Sequence, residues 1–171
     1  FIGSEVCKKL IKDYKVISID NLSTKKKKFE NININIKQDI RSKKIINIFD
    51  KFNPDAVIHL AAIHHIPTCE KKRAYALDVN IVGTENLLEI SSKFKIKKFI
   101  LASSGAVYDW KAKKLNETKT SLKGSDNYSL SKLTNENQCN LWNQRTNINL
   151  IIARIFNTIG PNDPNAHLIP D

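Results

Sequence analysis

The sequence predicts an α/β fold in which a parallel sheet carries helices on both faces. Short β-rich runs alternate along the chain with longer amphipathic runs, and this alternation is typical of strands joined by crossover helices. The apolar stretches are far shorter than the roughly 18 residues that a bilayer-spanning helix needs. With 171 residues, of which 41% are hydrophobic, the chain has the size of one domain with a core.

Five strands and four helices are predicted in alternation. The predicted strands are 15–20, 32–37, 56–61, 99–103 and 148–154. The predicted helices are 4–14, 42–52, 74–94 and 127–145. The polar stretch 109–126 is expected to be a surface loop. In such a sheet, ligands bind beyond the carboxyl ends of the strands, so candidate site residues are those that follow the apolar runs.

The chain carries a net charge of +11, which is compatible with nucleic-acid binding. Its lysines are scattered over the whole length, and 25–28 is the only run of four. No aromatic residues interleave with that run, as a single-strand binding platform requires. We therefore expect solvated lysine-rich faces and no nucleic-acid partner.

The cysteines and histidines do not form a metal-binding pattern. Cys7, Cys69 and Cys139 lie far apart and match neither a zinc spacing nor a dense disulfide framework. Three separate thiols favour a reducing compartment, so we expect a cytoplasmic protein that is not bound to a membrane. His64 and His65 are adjacent, and adjacent histidines rarely bind one metal without further ligands, so no metal site is expected.

Tyr128 and Lys132 lie four residues apart in a predicted helix, and therefore on one face, one turn apart. A free phenol titrates near pH 10, roughly three units too high for a general base at neutral pH. A neighbouring ammonium favours the phenolate and lowers this pKa. Ser103 and Ser104 end an apolar run upstream, and a serine hydroxyl aimed at the same point can hold the substrate oxygen that loses its proton.

Asp20 ends the first predicted strand, where a carboxylate can accept hydrogen bonds from both hydroxyls of an adenosine ribose. The same charge repels a 2′-phosphate, which favours NAD over NADP. The nearby lysine run 25–28 leaves NADP as an alternative cofactor. The alternative role for Asp20 is that of an ordinary turn residue in the segment 20–23.

Further short segments occur in a characteristic order. They are 1–4, 19–23, 39–40, 59–62, Asn80 with 83–88, 103–108, 128–132 and 154–161. In this order the chain resembles the extended short-chain dehydrogenase/reductase superfamily, and within it the NAD-dependent epimerase/dehydratase family. The resemblance implies a Rossmann-like doubly wound parallel sheet whose first strand is missing, with a gap between 15–20 and 56–61.

The resemblance also implies a role for each matching residue. Ser104, Tyr128 and Lys132 would be catalytic, with Lys132 binding the nicotinamide ribose and lowering the pKa of Tyr128. Ser104, Tyr128 and Asn157 would contact a sugar nucleotide. The residues implied to bind NAD are Ile2, Gly3, Asp20, Asn21, Ser23, Asp39, Ile40, Leu60, Ala61, Ala62, Asn80, Tyr128, Lys132 and Phe156.

Some positions depart from the family pattern. Dehydratases and decarboxylases of the family carry acidic residues just after the catalytic hydroxyl, where this chain has Gly105 and Ala106, which cannot transfer protons. Asp109 replaces a usual glycine. His64 and Ile155 stand where some hexose epimerases have lysine and tyrosine, which weakens a specific assignment to the UDP-galactose enzyme.

We therefore predict a nucleotide-sugar epimerase that uses tightly bound NAD, acts on a UDP-sugar through a keto-sugar intermediate, and forms a homodimer through helices 74–94 and 127–145. The alternatives are an NAD(P)-dependent ketoreductase or dehydrogenase of the superfamily, and an inactive cofactor-binding module. Residues 1–160 are expected to form an N-terminally truncated NAD-binding domain, and 161–171 to begin the substrate-binding region. The 171-residue chain alone is expected to bind NAD weakly and to show little activity.

Overall fold

The computed structural model describes residues 1–23 and 32–159. Its strands are β1 (Ile17–Asp20), β2 (Ile34–Lys37), β3 (Ala56–His59), β4 (Lys98–Ser104) and β5 (Asn149–Ile155). Its helices are α1 (Ile2–Leu10), α2 (Ile45–Phe52), α3 (Ile66–Lys71), α4 (Arg73–Leu77), α5 (Gly83–Lys93) and α6 (Asn127–Arg145). Each predicted strand is present, with ends shifted by at most two residues. The lysine run 25–28 and the segment 161–171 lie outside the described residues.

All strand pairs in the described parts of the chain are parallel. β1 pairs with β2, and β4 lies between β3 and β5 in a second, three-stranded sheet. Within residues 1–23 and 32–159 no strand pairing joins β1 to β3, and this break falls at the expected gap between 15–20 and 56–61. Because β3, β4 and β5 run in the same direction, their carboxyl ends meet at one edge, and Ser104 lies on that edge.

The predicted helix 74–94 is confirmed as an unbroken helical stretch over 73–93. It consists of α4, a π-helical turn over Asp78–Val82, and α5. A further short helix, α3, precedes it and was not predicted. Pro67 in the first turn of α3 supplies a backbone angle already suited to a helix. Lys72, with φ −122° and ψ 52°, then separates α3 from α4.

The apolar core lies beneath β4. Its members are Ile40, Ile45, Phe49, Leu87, Leu88, Ile90, Ile96, Phe99, Leu101, Cys139 and Ile148. They come mainly from α2, α5 and β4, and full burial of one such large side chain contributes about 1.5–3 kcal/mol. This packing holds β4 in place. Among the residues that the structure describes, no helix has the length and apolar character needed to cross a membrane.

Candidate functional site

Ser104 ends β4 at the edge where the carboxyl ends of parallel strands meet. Its hydroxyl oxygen accepts a hydrogen bond from the main-chain N–H of Ala106 at 3.2 Å, where a 3-10 turn over Gly105–Val107 begins. The Ser104 hydroxyl also lies close enough to the phenol of Tyr128 to lower the pKa of that phenol. The structure therefore brings the predicted hydroxyl and phenol together.

Tyr128 lies in the first turn of α6, which starts with a capping box. Asp126 accepts from the Ser129 N–H at 2.8 Å, and the Ser129 hydroxyl accepts from the Asp126 N–H at 3.0 Å. Burial raises the pKa of Tyr128, the nearby Ser104 hydroxyl lowers it, and the net direction is upward. The prediction of a lowered pKa is therefore wrong for this structure. Burial dominates, and the Lys132 ammonium lies 5.9 Å from the centre of the Tyr128 ring.

Lys132 is buried one helical turn after Tyr128, with 3% of its surface exposed. Its ammonium donates a hydrogen bond to the main-chain oxygen of Ala102 at 2.8 Å. Burial lowers the pKa of Lys132 to about 8, so the group is still mainly protonated at neutral pH. The bond to Ala102 uses one of three ammonium donors, which leaves donors for a ligand.

Asn80 connects the site to the segment that follows β3. Its side chain accepts from the Ile63 N–H at 2.8 Å and donates to the Ile63 oxygen at 3.0 Å and to the Ser131 hydroxyl at 2.9 Å. Its own main-chain oxygen accepts from Thr84 and Asn135. Asn80 lies in the π-helical turn, an irregularity that is frequent at functional sites. The turn thus holds Asn80 as a support for the helix that carries Tyr128.

Phe156 follows β5, and its ring lies over Gly105. A side-chain carbon built on Gly105 would come within 2.9 Å of that ring, so a larger residue there would displace Phe156. Tyr108 stacks against Phe156, with 6.2 Å between the ring centres. The Phe156 ring therefore fills the space beside Gly105, the residue after Ser104. Gly105 is one of the two positions where this chain lacks the acidic residues of the family's dehydratases and decarboxylases. Asn157, the next residue, is exposed.

Asp20, Asn21 and Asp39 form a second group at the carboxyl ends of β1 and β2. One carboxylate oxygen of Asp20 accepts from the Leu22 N–H at 2.7 Å. Among residues 1–23 and 32–159, this bond leaves the second oxygen of Asp20 for a ligand. The Asn21 amide donates to Asp39 at 3.3 Å, and its oxygen accepts from the Ser23 N–H at 3.0 Å. The predicted ribose-binding residues are therefore neighbours.

Arg41 holds Asp39 through two hydrogen bonds of 2.9 and 2.8 Å and reaches Asp78 at 2.6 Å. The side-chain hydrogen bond from Arg41 holds the pKa of Asp39 far below its usual range. The Ile40 side chain is 7% exposed and belongs to the core, where it packs closely against Gly83. The adenine contacts of Asp39 and Ile40 remain predictions.

A third group comes from α1 and the segment after β3. A side-chain carbon built on Gly3 would lie 3.5 Å from Leu60, which is ordinary contact distance. Ile2 begins α1. Leu60 is followed by Ala61, which is exposed, and by Ala62, which is half-buried. The structure brings α1 and this segment together, and their predicted contacts with NAD remain predictions.

The sequence analysis missed a buried charged network next to Ser104. Glu136, 3% exposed, accepts from Arg154 at 3.0 and 2.8 Å and from the Ser103 hydroxyl. Arg154 also donates to the Tyr108 hydroxyl at 3.0 Å. Glu136 lies four residues after Lys132 on one face of α6, and this spacing is the signal that could have revealed it. The network ties α6 to β4 and β5.

The comparisons with known proteins agree with this arrangement. Residues 1–171 match the family described as the NAD dependent epimerase/dehydratase family. The chain belongs to this family. The resemblance inferred from the motifs and the Rossmann-like α/β class are thereby confirmed.

Two sequence relatives illustrate the range of reactions within the epimerase/dehydratase family. A protein of Methanocaldococcus jannaschii, assigned by name to UDP-glucose 4-epimerase, is 34% identical over 94% of this chain and 53% of its own length. The dTDP-D-glucose 4,6-dehydratase of Dictyostelium discoideum is 31% identical over 99% of this chain and 44% of its own length. The chain therefore spans about half the length of the curated relatives that it matches.

Solved structures of UDP-glucose 4-epimerases share the fold. The Thermotoga maritima enzyme with UDP-glucose has a TM-score of 0.82 and 31% identity, covering 90% of this chain and 52% of that one. The Bifidobacterium longum enzyme in complex with NAD⁺ and UDP has a TM-score of 0.82 and 27% identity, covering 90% and 50%. NAD is the cofactor of the family, and the residues described here fit it. Asp20 offers a carboxylate oxygen at a strand end, and Lys132 offers buried ammonium donors.

Proposed function

We propose that the whole protein is a nucleotide-sugar epimerase that uses tightly bound NAD and acts on a UDP-sugar. The observation that carries the proposal is the convergence of three side chains: Ser104 lies close enough to Tyr128 to affect its pKa, and Lys132 is buried one helical turn away with its ammonium 5.9 Å from the Tyr128 ring centre. The relatives named for UDP-glucose support a UDP-sugar and point to C4 as the inverted carbon. Gly105 and Ala106 argue against dehydration, because neither can act as an acid or base after Ser104.

The proposed chemistry follows from the three side chains. Ser104 holds the oxygen of a sugar hydroxyl while Tyr128 removes the proton from that oxygen. Lys132 holds the nicotinamide ribose, and its ammonium does not offset the burial that raises the pKa of Tyr128. A bound NAD would supply the hydride chemistry: it would take the hydride from the same sugar carbon and, once the keto sugar has turned over in the site, give it back to the opposite face, and its positively charged ring would favour the phenolate. Tyr128 then returns the proton to the oxygen of the keto sugar, so no external reductant is consumed.

The cofactor contacts are proposed on the same basis. Asp20 accepts the hydroxyls of the adenosine ribose, and Lys132 donates to the nicotinamide ribose. Ile2 and Gly3 lie at the N-terminus of α1, where main-chain N–H groups favour a pyrophosphate. Phe156 borders the nicotinamide. The position of Asp20 and the spare donors of Lys132 support these roles.

The proposal is tested by turnover of UDP-sugars by the whole protein, with and without added nicotinamide cofactor. An epimerase needs no added NADH, and Tyr128→Phe should lower kcat by about 10²–10⁴ while NAD still copurifies. Tyr14→Phe is the matched control, since that ring is 66% exposed and outside the site. Stoichiometric consumption of NADH or NADPH would indicate the alternative reductase. A Tyr128→Phe enzyme within about twofold of the wild type would exclude Tyr128 as the base.

We also propose a homodimer formed through α4, α5 and α6, in a cytoplasmic protein. Apolar side chains of this region are exposed, Val82 by 52%, Leu130 by 43% and Leu141 by 49%, and a dimer through these helices would cover them. Sedimentation of the whole protein should show a dimer that Leu141→Lys weakens, and an unchanged dimer would locate the interface elsewhere.

Free thiols at Cys69 and Cys139 are compatible with a reducing compartment, which fluorescence microscopy of the tagged protein tests.

A further inference from the structure

A two-point contact joins α3 to the first residue of α6. One carboxylate oxygen of Glu70 accepts from the main-chain N–H of Asn127 at 2.8 Å. The other oxygen accepts from the side-chain amide of Asn127 at 2.7 Å. Asn127 is 7% exposed, whereas Glu70 is exposed, so the two bonds join a buried donor residue to a carboxylate at the surface. Glu70 and Asn127 are 57 residues apart in sequence, and neither was singled out by the sequence analysis.

This contact satisfies a donor that the helix itself cannot satisfy. The first N–H groups of a helix have no partner within the helix. Asp126 accepts a hydrogen bond from the N–H of Ser129, and Glu70 accepts one from the N–H of Asn127. The first turn of α6 is therefore fixed by its own cap and also by a separate helix. Tyr128 is the residue that lies between these two attachments.

A second attachment lies just beyond Tyr128. The Asn80 amide donates to the Ser131 hydroxyl at 2.9 Å, and Ser131 in turn donates to the Tyr128 main-chain oxygen at 2.7 Å. Both Glu70 and Asn80 belong to the segment between β3 and β4. The main chain of Tyr128 is thus held on both sides by one region of the fold, and its phenol is directed toward Ser104.

We propose that Glu70 is a positioning residue for the reaction, which acts through Asn127 to set the position of Tyr128. This inference rests on the proposed function, because it assigns a purpose to the geometry of the Tyr128 base. Glu70 accepts hydrogen bonds and does not touch the reacting atoms. Its hydrogen bonds carry the effect, and its negative charge does not. Glu70→Gln keeps an oxygen for the Asn127 N–H without the charge, whereas Glu70→Ala removes both.

The test uses the whole protein with NAD and a UDP-sugar. Glu70→Ala should lower kcat by about tenfold to a hundredfold with KM changed less than about twofold, since a small misplacement of a reacting group has effects of this size. Glu70→Gln should restore kcat to within about threefold of the wild type. Asn127→Ala removes only the side-chain bond and keeps the main-chain bond to Glu70, so it should lower kcat less than Glu70→Ala does, and the double variant should lose no more than Glu70→Ala alone, because the two residues act as one unit. Glu89→Ala on α5, whose side chain is exposed, is the control and should behave as wild type.

Amide hydrogen exchange provides a readout that does not depend on turnover. In Glu70→Ala, the peptide covering 126–132 should exchange faster than in the wild type and in Glu89→Ala, with the melting temperature showing that each variant is folded. Unchanged exchange, an unchanged kcat, or Glu70→Gln as impaired as Glu70→Ala would each overturn the inference. If no UDP-sugar is turned over by the wild type, the proposed function fails, and the exchange result still decides whether Glu70 holds the first turn of α6.

Discussion

The burial of Lys132 has a cost in stability that a pH titration can measure. The side chain is 3% exposed, and burial lowers its pKa from 10.5 to about 8. Between these two values the folded protein has lost the proton while the unfolded chain still holds it. The unfolded state therefore binds more protons, and stability rises with pH through this window. The difference between the two pKa values corresponds to about 3 kcal/mol, at about 1.4 kcal/mol for each pKa unit.

The Lys132→Met variant isolates this effect, because it removes the ionisable group and keeps an unbranched side chain. Urea unfolding of the whole protein and the variant, from about pH 7 to about pH 10, gives the difference in unfolding free energy at each pH. We expect the wild type to gain about 2–3 kcal/mol on the variant across this range. Groups that do not interact with Lys132 titrate alike in both proteins and cancel, and Cys69, whose pKa the Lys132 charge lowers, is replaced by serine in both proteins. Parallel pH dependences would refute the argument, and would mean that Lys132 titrates alike in the folded and unfolded states.

Two further substitutions test the packing around the site. Glu136→Ala should lower the unfolding free energy by about 3–5 kcal/mol, because it leaves the largely buried Arg154 without its carboxylate. Urea unfolding measures this loss, and a loss below about 1 kcal/mol would mean that the pair behaves as a surface ion pair. Gly124→Ala should cost about 1–3 kcal/mol, because the added carbon would lie 2.8 Å from the main-chain Cα of Leu130. In thermal unfolding, a Gly124→Ala variant as stable as the wild type would contradict the clash.

The start of α6 and the residues of the site can be predicted from sequence because their signals are local. Asp126 and Ser129 form the capping box within four residues, and the predicted helix 127–145 is the observed one. The spacing from Tyr128 to Lys132 places both on one face of a helix. Ser104 follows an apolar run, and the carboxyl ends of parallel strands meet at one edge. The start of α6, the spacing from Tyr128 to Lys132 and the position of Ser104 at the sheet edge are enough to bring the phenol and the hydroxyl together.

The π-helical turn within helix 74–94 could not be predicted, because distant contacts accompany it. Asn80 lies in the π-helical turn and bonds Ile63, 17 residues away, and Ser131, 51 residues away. No pattern within the helix carries this information. The direction of the Tyr128 pKa could not be predicted for a similar reason. The spacing to Lys132 gives a neighbour on the helix, and only the fold gives the extent of burial that outweighs it.

The inward face of α6 explains why a helix with a weak apolar pattern is held so firmly. Its buried residues are Asn127, Ser129, Ser131, Lys132, Asn135, Glu136 and Cys139. Partners for these polar groups come from separate elements: β4 accepts from Lys132, the π-helical turn bonds Asn135, and β5 supplies Arg154 to Glu136. Hydrogen bonds weaken steeply when their angles change, whereas apolar contacts tolerate repacking. A polar face therefore fixes the rotation of α6 more closely than an apolar face would. Burying Lys132 lowers the stability of the protein. The same buried polar face fixes the orientation in which α6 presents Tyr128 to Ser104.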